Sequence, residues 1–292
     1  ATRPLLGLPG HDGRRGQARL QGKGLTRTTP TDDKETILEK RRILNLDIHN
    51  WKFNDFIEQL DEGVVITPNV DHLILVQKDR EFYDNFQQCE HVVCDSRIIF
   101  FLSRFLYPGN GLHDQIAGSD LFPAYCQHNK DNTESVRILL LGGTETSIQQ
   151  ARQAINQRAG SEIVVAAYSP PFGFENRPDE TARMQQIAEE SGATVLAIGV
   201  GSPKQEKWVC RNRREFPGIR LFLCVGATMN FEAGLEKRAP QWMTRAGLEW
   251  LYRITQEPGR MIRRYLIQDL PVFWLIAKQK MGRYQDPWQR DS

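Results

Sequence analysis

Residues 194–208 read TVLAIGVGSPKQEKW: an unbroken apolar run, a turn of glycine, serine and proline, then a polar stretch opening with Lys, Gln and Glu. A run that is apolar at successive positions suits a parallel strand covered on both faces, since neither face meets water. Glycine closes the strand, and Pro203 suits the first turn of a helix. The same pattern recurs as RILLLGGT at 137–144 and RLFLCVG at 220–226. Working outward, candidate strands fall at Ile43–Ile48, Val64–Thr67, His91–Asp95, Arg137–Gly142, Ile163–Ala167, Thr194–Gly199 and Arg220–Gly226. Between them run helical periods at Phe53–Leu60, Val70–Gln77, Arg97–Leu106, Thr146–Arg158, Asp179–Glu190 and Pro203–Arg214. Such alternation predicts crossover units and an α/β fold: a mostly parallel, doubly wound sheet with helices on both faces.

The chain of 292 residues, 40% hydrophobic and 25% charged, can bury a sizeable core without disulfide or metal staples. A net charge of +2 does not indicate a nucleic-acid binder, and no nucleic-acid partner is expected. The longest apolar runs, Ile98–Leu102 and Val272–Ala277, are far short of the roughly 20 residues that span a bilayer. The five cysteines are scattered, with no C-x-x-C pair, which reads as reduced, cytosolic usage without a zinc site. No metal and no cofactor is expected.

Both ends differ from the middle. Residues 1–24 hold six glycines and few large apolar side chains, so 1–35 reads as a disordered extension. Residues 237–283 carry ten Lys/Arg against Glu249, Glu257 and Asp269, interleaved with aromatics such as Trp242, Trp250, Tyr252 and Trp274. That composition suits an anion-binding lid or a surface lying on anionic lipid, and equally a solvated basic helix pair.

Ligands of open parallel sheets sit beyond the carboxyl ends of the strands, where helix N-termini offer free N–H groups to anions. Gly142, Gly143 and Gly201 stand at such ends. Neither stretch is G-x-G-x-x-G or a Walker A loop, so a dinucleotide-dependent oxidoreductase lacks its fingerprint, and ordinary turn chemistry remains the alternative.

Four segments go further: TPNVD at 67–71, AGSDL at 117–121, GSPKQEKW at 201–208, and RAPQW at 238–242 running into GLEWLYR at 247–253. With EPGR at 257–260 and RRY at 263–265, in this order, they resemble the bacterial WecG/TagA/CpsF glycosyltransferase family. The resemblance implies a Rossmann-like body, residues 36–236, followed by a C-terminal helical appendage, 237–292, that closes over the site and meets the membrane. It implies inverting transfer of a hexose, N-acetylmannosamine or a related sugar, from a UDP donor to a polyprenyl-diphosphate-linked sugar in cell-surface polysaccharide assembly. The implied location is cytoplasmic, peripheral on the inner face of the plasma membrane. Self-association into a homo-oligomer is left open, and a catalytically silent binder of nucleotide sugar is the competing reading.

Asp95 falls where the family has its catalytic Asp, and a general base that takes the acceptor hydroxyl proton must be a carboxylate of this kind. Read from the residues alone, Asp95 is first an N-cap for the helix from Arg97, and the resemblance is what makes it the base. Thr67 and Asn69 resemble the family's pocket-lining polar pair, with an Asx/Pro turn as the plain alternative. Gln205 and Glu206 are placed to grip uracil or ribose, or simply to oppose a helix dipole. Arg253, Arg260 and Arg263 resemble the appendage arginines that reach the diphosphate, where bidentate guanidinium forks suit phosphate oxygens. No D-x-D occurs, so arginine takes the place of the metal clamp. The chain departs from the family pattern at Cys94, Ser96, Gln115 and Asn230, which stand where Ala, Gly, Arg and Asp are usual; Ser96, Gln115 and Asn230 are expected to border the pocket.

Overall fold

A computed structural model of the chain describes residues 39–226, 228–235 and 238–289; the extension expected at 1–35 lies outside the described residues. The described residues fall in one compact unit. Chain order begins with a hairpin, β1 (Lys40–Ile43) and β2 (Leu46–His49), then α1 (Phe53–Gln59), β3 (Gly63–Ile66), α2 (Val70–Leu75), α3 (Arg80–Gln87), β4 (His91–Val92), α4 (Arg97–Leu106) and α5 (Gly118–His128). It continues with β5 (Ile138–Gly142), α6 (Glu145–Ala159), β6 (Val164–Tyr168), α7 (Pro178–Ser191), β7 (Val195–Gly199), α8 (Lys204–Asn212), β8 (Leu221–Cys224) and α9 (Thr228–Glu232). The C-terminal helices are α10 (Gln241–Arg245), α11 (Glu249–Gln256), α12 (Pro258–Arg263) and, after a π-helical turn, α13 (Pro271–Lys280).

The main sheet has six strands in the order β4-β3-β8-β7-β5-β6, and every pairing is parallel. The α/β expectation therefore holds, with β5 and β8 buried along their whole length. Alternate side chains feed two cores. Leu139, Leu141, Leu196, Ile198 and Phe222 pack with α2, α3, α4, α7 and α8 on one face. Ile138, Leu140, Val195, Ala197 and Leu221 pack with α1, α5, α6 and α9 on the other.

Two readings change. The single strand expected at Ile43–Ile48 is a hairpin, because Leu44 takes a left-handed backbone (φ 54°) and turns the chain before β2 pairs antiparallel with β1. Helices α3 and α5 were not anticipated; α5 contains Pro123 and a near-continuous apolar stretch that masks its period.

The stretch after 237 is of two kinds. Helix α13 buries Val272 and Ile276 in the first core, and the tail beyond it is tied to the body by Tyr284 Oη to Gln77 (2.7 Å) and Trp288 Nε1 to the Val76 carbonyl (2.6 Å). Helices α11 and α12 instead line the cleft at the carboxyl ends of the strands, as described below.

Candidate active site

At the carboxyl ends of β5, β7 and β8, backbone packs directly on backbone. A Cβ on Gly142 (φ 129°) would lie 2.5 Å from the Gly199 carbonyl, and one on Gly199 would lie 2.5 Å from the Gly226 carbonyl. Glycine is needed there for close packing. Gly142 and Gly143 are not among the residues that line the cleft, so the turn reading fits them better than a place in the pocket.

Beyond β3, β4, β7 and β8 opens a cleft of about 1310 Å³, larger than the usual range for small-ligand sites. It brings together Thr67, Asn69, Asp95, Gly201, Gln205, Glu206, Asn230, Arg253 and Arg263 from segments spread over nearly 200 positions of sequence. Ser96 and Gln115 are not among its lining residues, and the Arg260 side chain lies outside the described residues. The cleft also takes in His72, Glu249 and Tyr252, which sequence reasoning left unassigned. For Glu249 a signal existed: it stands four residues before Arg253 on a helix, the spacing of an ion pair.

Asp95 is held by two of the motif segments and by Gln115. Its backbone N–H donates to the Pro68 carbonyl (3.1 Å), its carbonyl accepts from Gln115 Nε2 (2.6 Å), and its Oδ1 accepts the Gly118 N–H (3.1 Å). Gly118 opens α5, so the carboxylate meets the N-terminus of a helix remote in sequence. It does not cap α4: that position belongs to Ser96, whose Oγ accepts the Ile98 N–H at 3.2 Å. The departures at 96 and 115 therefore serve as a helix cap and as a support under Asp95. Burial, and then the negative charge of Glu249, push the Asp95 pKa up to about 6; the Gly118 N–H and Arg253 act the other way. A carboxylate so tuned is ionised at neutral pH yet basic enough to take a proton in a transition state.

Asn69 lines the cleft and also caps α2, accepting the His72 N–H at 3.4 Å, a helix cap where an Asx/Pro turn was the plain alternative. Across His72 from Asn69, Gln205 and Glu206 occupy the first turn of α8 at only 4% and 1% exposure. Side chains that merely opposed a helix dipole would face water. Instead Gln205 Nε2 donates to Glu206 Oε1 (2.8 Å), and His72 Nε2 lies 3.6 Å from that same oxygen. Gln205 Oε1 and Glu206 Oε2 are buried with no hydrogen-bond partner among the described residues. Two unsatisfied acceptors on a cleft wall are costly unless a ligand supplies donors.

The appendage closes the remaining side. Arg253 on α11 is bonded to Glu249 Oε1 at 3.1 and 3.2 Å, with its guanidinium 5.9 Å from the Phe231 ring. Arg238 pairs with Asp120 at 2.8 Å and also donates to the Ser119 carbonyl, so the RAPQW and AGSDL motifs are in contact. Arg263 on α12 lines the rim. Among the described residues no cluster of three or more His, Cys, Asp or Glu side chains is arranged to hold a metal ion, and no helix is long and apolar enough to cross a membrane.

A family model for the glycosyl transferase WecG/TagA/CpsF family matches residues 41–286. The chain belongs to that family and is a glycosyltransferase of cell-surface polysaccharide synthesis.

Proposed function

We propose that this family member transfers a hexose, N-acetylmannosamine or a related sugar, from a UDP donor to a polyprenyl-diphosphate-linked sugar, with inversion at the anomeric carbon. The observation that carries the reading is Asp95, a carboxylate tuned to about 6, lining a cleft wide enough for donor and acceptor sugars together. In an inverting transfer Asp95 takes the proton of the acceptor hydroxyl as that oxygen attacks the anomeric carbon and the bond to UDP breaks. Arg253 and Arg263 face the negative charge that grows on the departing diphosphate, in a site partly shielded from water. Arg253 exchanges Glu249 for a phosphate oxygen when the nucleotide binds. The orphan acceptors of Gln205 and Glu206 receive donors from the nucleoside, such as ribose hydroxyls or the uracil N–H.

The lipid-linked acceptor requires a peripheral position on the inner face of the membrane. Supporting it are exposed Trp242, Ile267, Leu270 and Trp274, interleaved with the basic residues of 237–283. The testing experiment is a panel of UDP-sugars offered with a polyprenyl-diphosphate N-acetylglucosamine analogue and scored for UDP release. One sugar is expected to stand well above the rest. Release from none of them, or release equally fast without acceptor, refutes the proposal.

A further inference from the structure

Away from the cleft, two thiols face each other. Cys89 lies in the turn between α3 and β4, and Cys210 lies on α8, one helical turn beyond Glu206. Their Sγ atoms are 3.8 Å apart in hydrogen-bond contact, and both residues are partly buried. The contact is held by ion pairs on either side. Arg213, at the end of α8, binds Glu90 at 2.8 Å, while Arg211 and Lys207 reach Glu81 and Asp79 at 2.7 and 2.6 Å. These pairs tie α8 to the start of α3 and to the turn before β4, on either side of the two sulfurs. The other three cysteines, Cys94, Cys126 and Cys224, are buried.

We propose that Cys89 and Cys210 are an oxidisable dithiol that a hydroperoxide closes to an intramolecular disulfide, clamping the cleft helix α8 to the turn entering β4. Cys210 is the attacking sulfur. The hydrogen bond from Cys89, and then the Arg213 guanidinium, hold its pKa below the ordinary thiol value against burial, which acts the other way. Its thiolate attacks the O–O bond and takes one oxygen as a sulfenic acid, and the other oxygen leaves as water, or as an alcohol from an organic peroxide. The Cys89 sulfur then displaces the sulfenic oxygen, releasing water and forming the S–S bond. With hydrogen peroxide the balance is two thiols and one peroxide to one disulfide and two waters; the sulfurs lose two electrons and the peroxide gains them. The inference stands independently of the sugar-transfer reading, because neither thiol lines the cleft.

The test treats the full chain with hydrogen peroxide, alkylates the remaining thiols and maps the peptides by mass spectrometry. Expected are three alkylated cysteines out of five, a cross-linked peptide joining Cys89 to Cys210, and full reversal by dithiothreitol. The melting temperature of the oxidised protein should rise by something on the order of 5 °C, since the bond closes a very long loop. Neither change should occur in Cys89→Ser or Cys210→Ser, whose own melting temperatures stay near that of the reduced protein. Oxidation of Cys210 to sulfinic acid without a cross-link, a bond to any other cysteine, or two thiols still alkylatable in excess peroxide would overturn the proposal. A cross-link that leaves the melting temperature unchanged would overturn the clamp.

Discussion

Replacing Asp95 by Asn separates the chemistry of the carboxylate from its place in the fold, and the two effects have opposite signs. The amide keeps the shape of the side chain and an oxygen to accept the Gly118 N–H, so the start of α5 stays satisfied. What it loses is basicity. If Asp95 is the general base, turnover should fall by about 10²–10⁴, which is roughly 3–5 kcal/mol of barrier at 1.36 kcal/mol per decade. Stability should move the other way. The folded-state pKa of about 6 stands above the ordinary carboxylate value of 3.8, so the folded protein binds more protons between those limits. Stability in the wild type therefore falls as pH rises from about 4 to 6, and above that range the ionised group carries a constant cost of about 1–3 kcal/mol. The Asn variant escapes that cost and should unfold at equal or higher denaturant concentration at pH 7, an advantage that disappears near pH 4. A residue serving only as a helix cap would tolerate the change, since Asn caps about as well as Asp, and turnover would stay intact. The assay pairs UDP release with urea unfolding at pH 7 and pH 4, alongside the wild-type pH profile of kcat/KM, whose acid limb should bend near pH 6. A variant that keeps more than a tenth of wild-type turnover, or that loses stability at pH 7, refutes the assignment.

Four further outcomes are expected. Glu249→Gln removes the negative charge that, after burial, raises the Asp95 pKa, so the acid limb of kcat/KM should move to lower pH, and an unmoved limb would uncouple the two groups. Because the sequence lacks D-x-D and Arg253 and Arg263 face the cleft, turnover should survive EDTA; complete loss, restored by one divalent ion, would return the diphosphate to a metal clamp. Ile276→Ala, at 2% exposure in α13, should cost about 2–5 kcal/mol of stability by urea unfolding. Trp274→Ala, 61% exposed on the same helix, should instead leave stability within about 0.5 kcal/mol and weaken co-sedimentation with anionic liposomes.

Much of the molecule was legible from local pattern. The apolar runs at 137–142, 194–199 and 220–226 identify the central strands because a strand buried on both faces admits no polar side chain, whatever the rest of the chain does. Thr67, Asn69, Asp95, Gln205, Glu206 and Arg253 could be singled out by chemistry and motif before any coordinates, and the fold gathers them in one cleft.

What local pattern could not carry is partnership across the chain. That Ser96 rather than its neighbour caps α4, leaving Asp95 to receive an N–H from α5, depends on how the strand end and two distant loops meet. The charge that tunes Asp95 comes from Glu249, more than 150 positions away, and no periodicity encodes that approach. The same limit explains the C-terminal stretch. Composition marks all of 237–292 as basic and aromatic, yet α13 buries Val272 and Ile276 in the core while α11 and α12 turn polar and charged side chains such as Glu249, Arg253 and Arg263 to the cleft. Composition sets what a helix can bury; only the packed sheet and its helices decide which surface is there to bury it against.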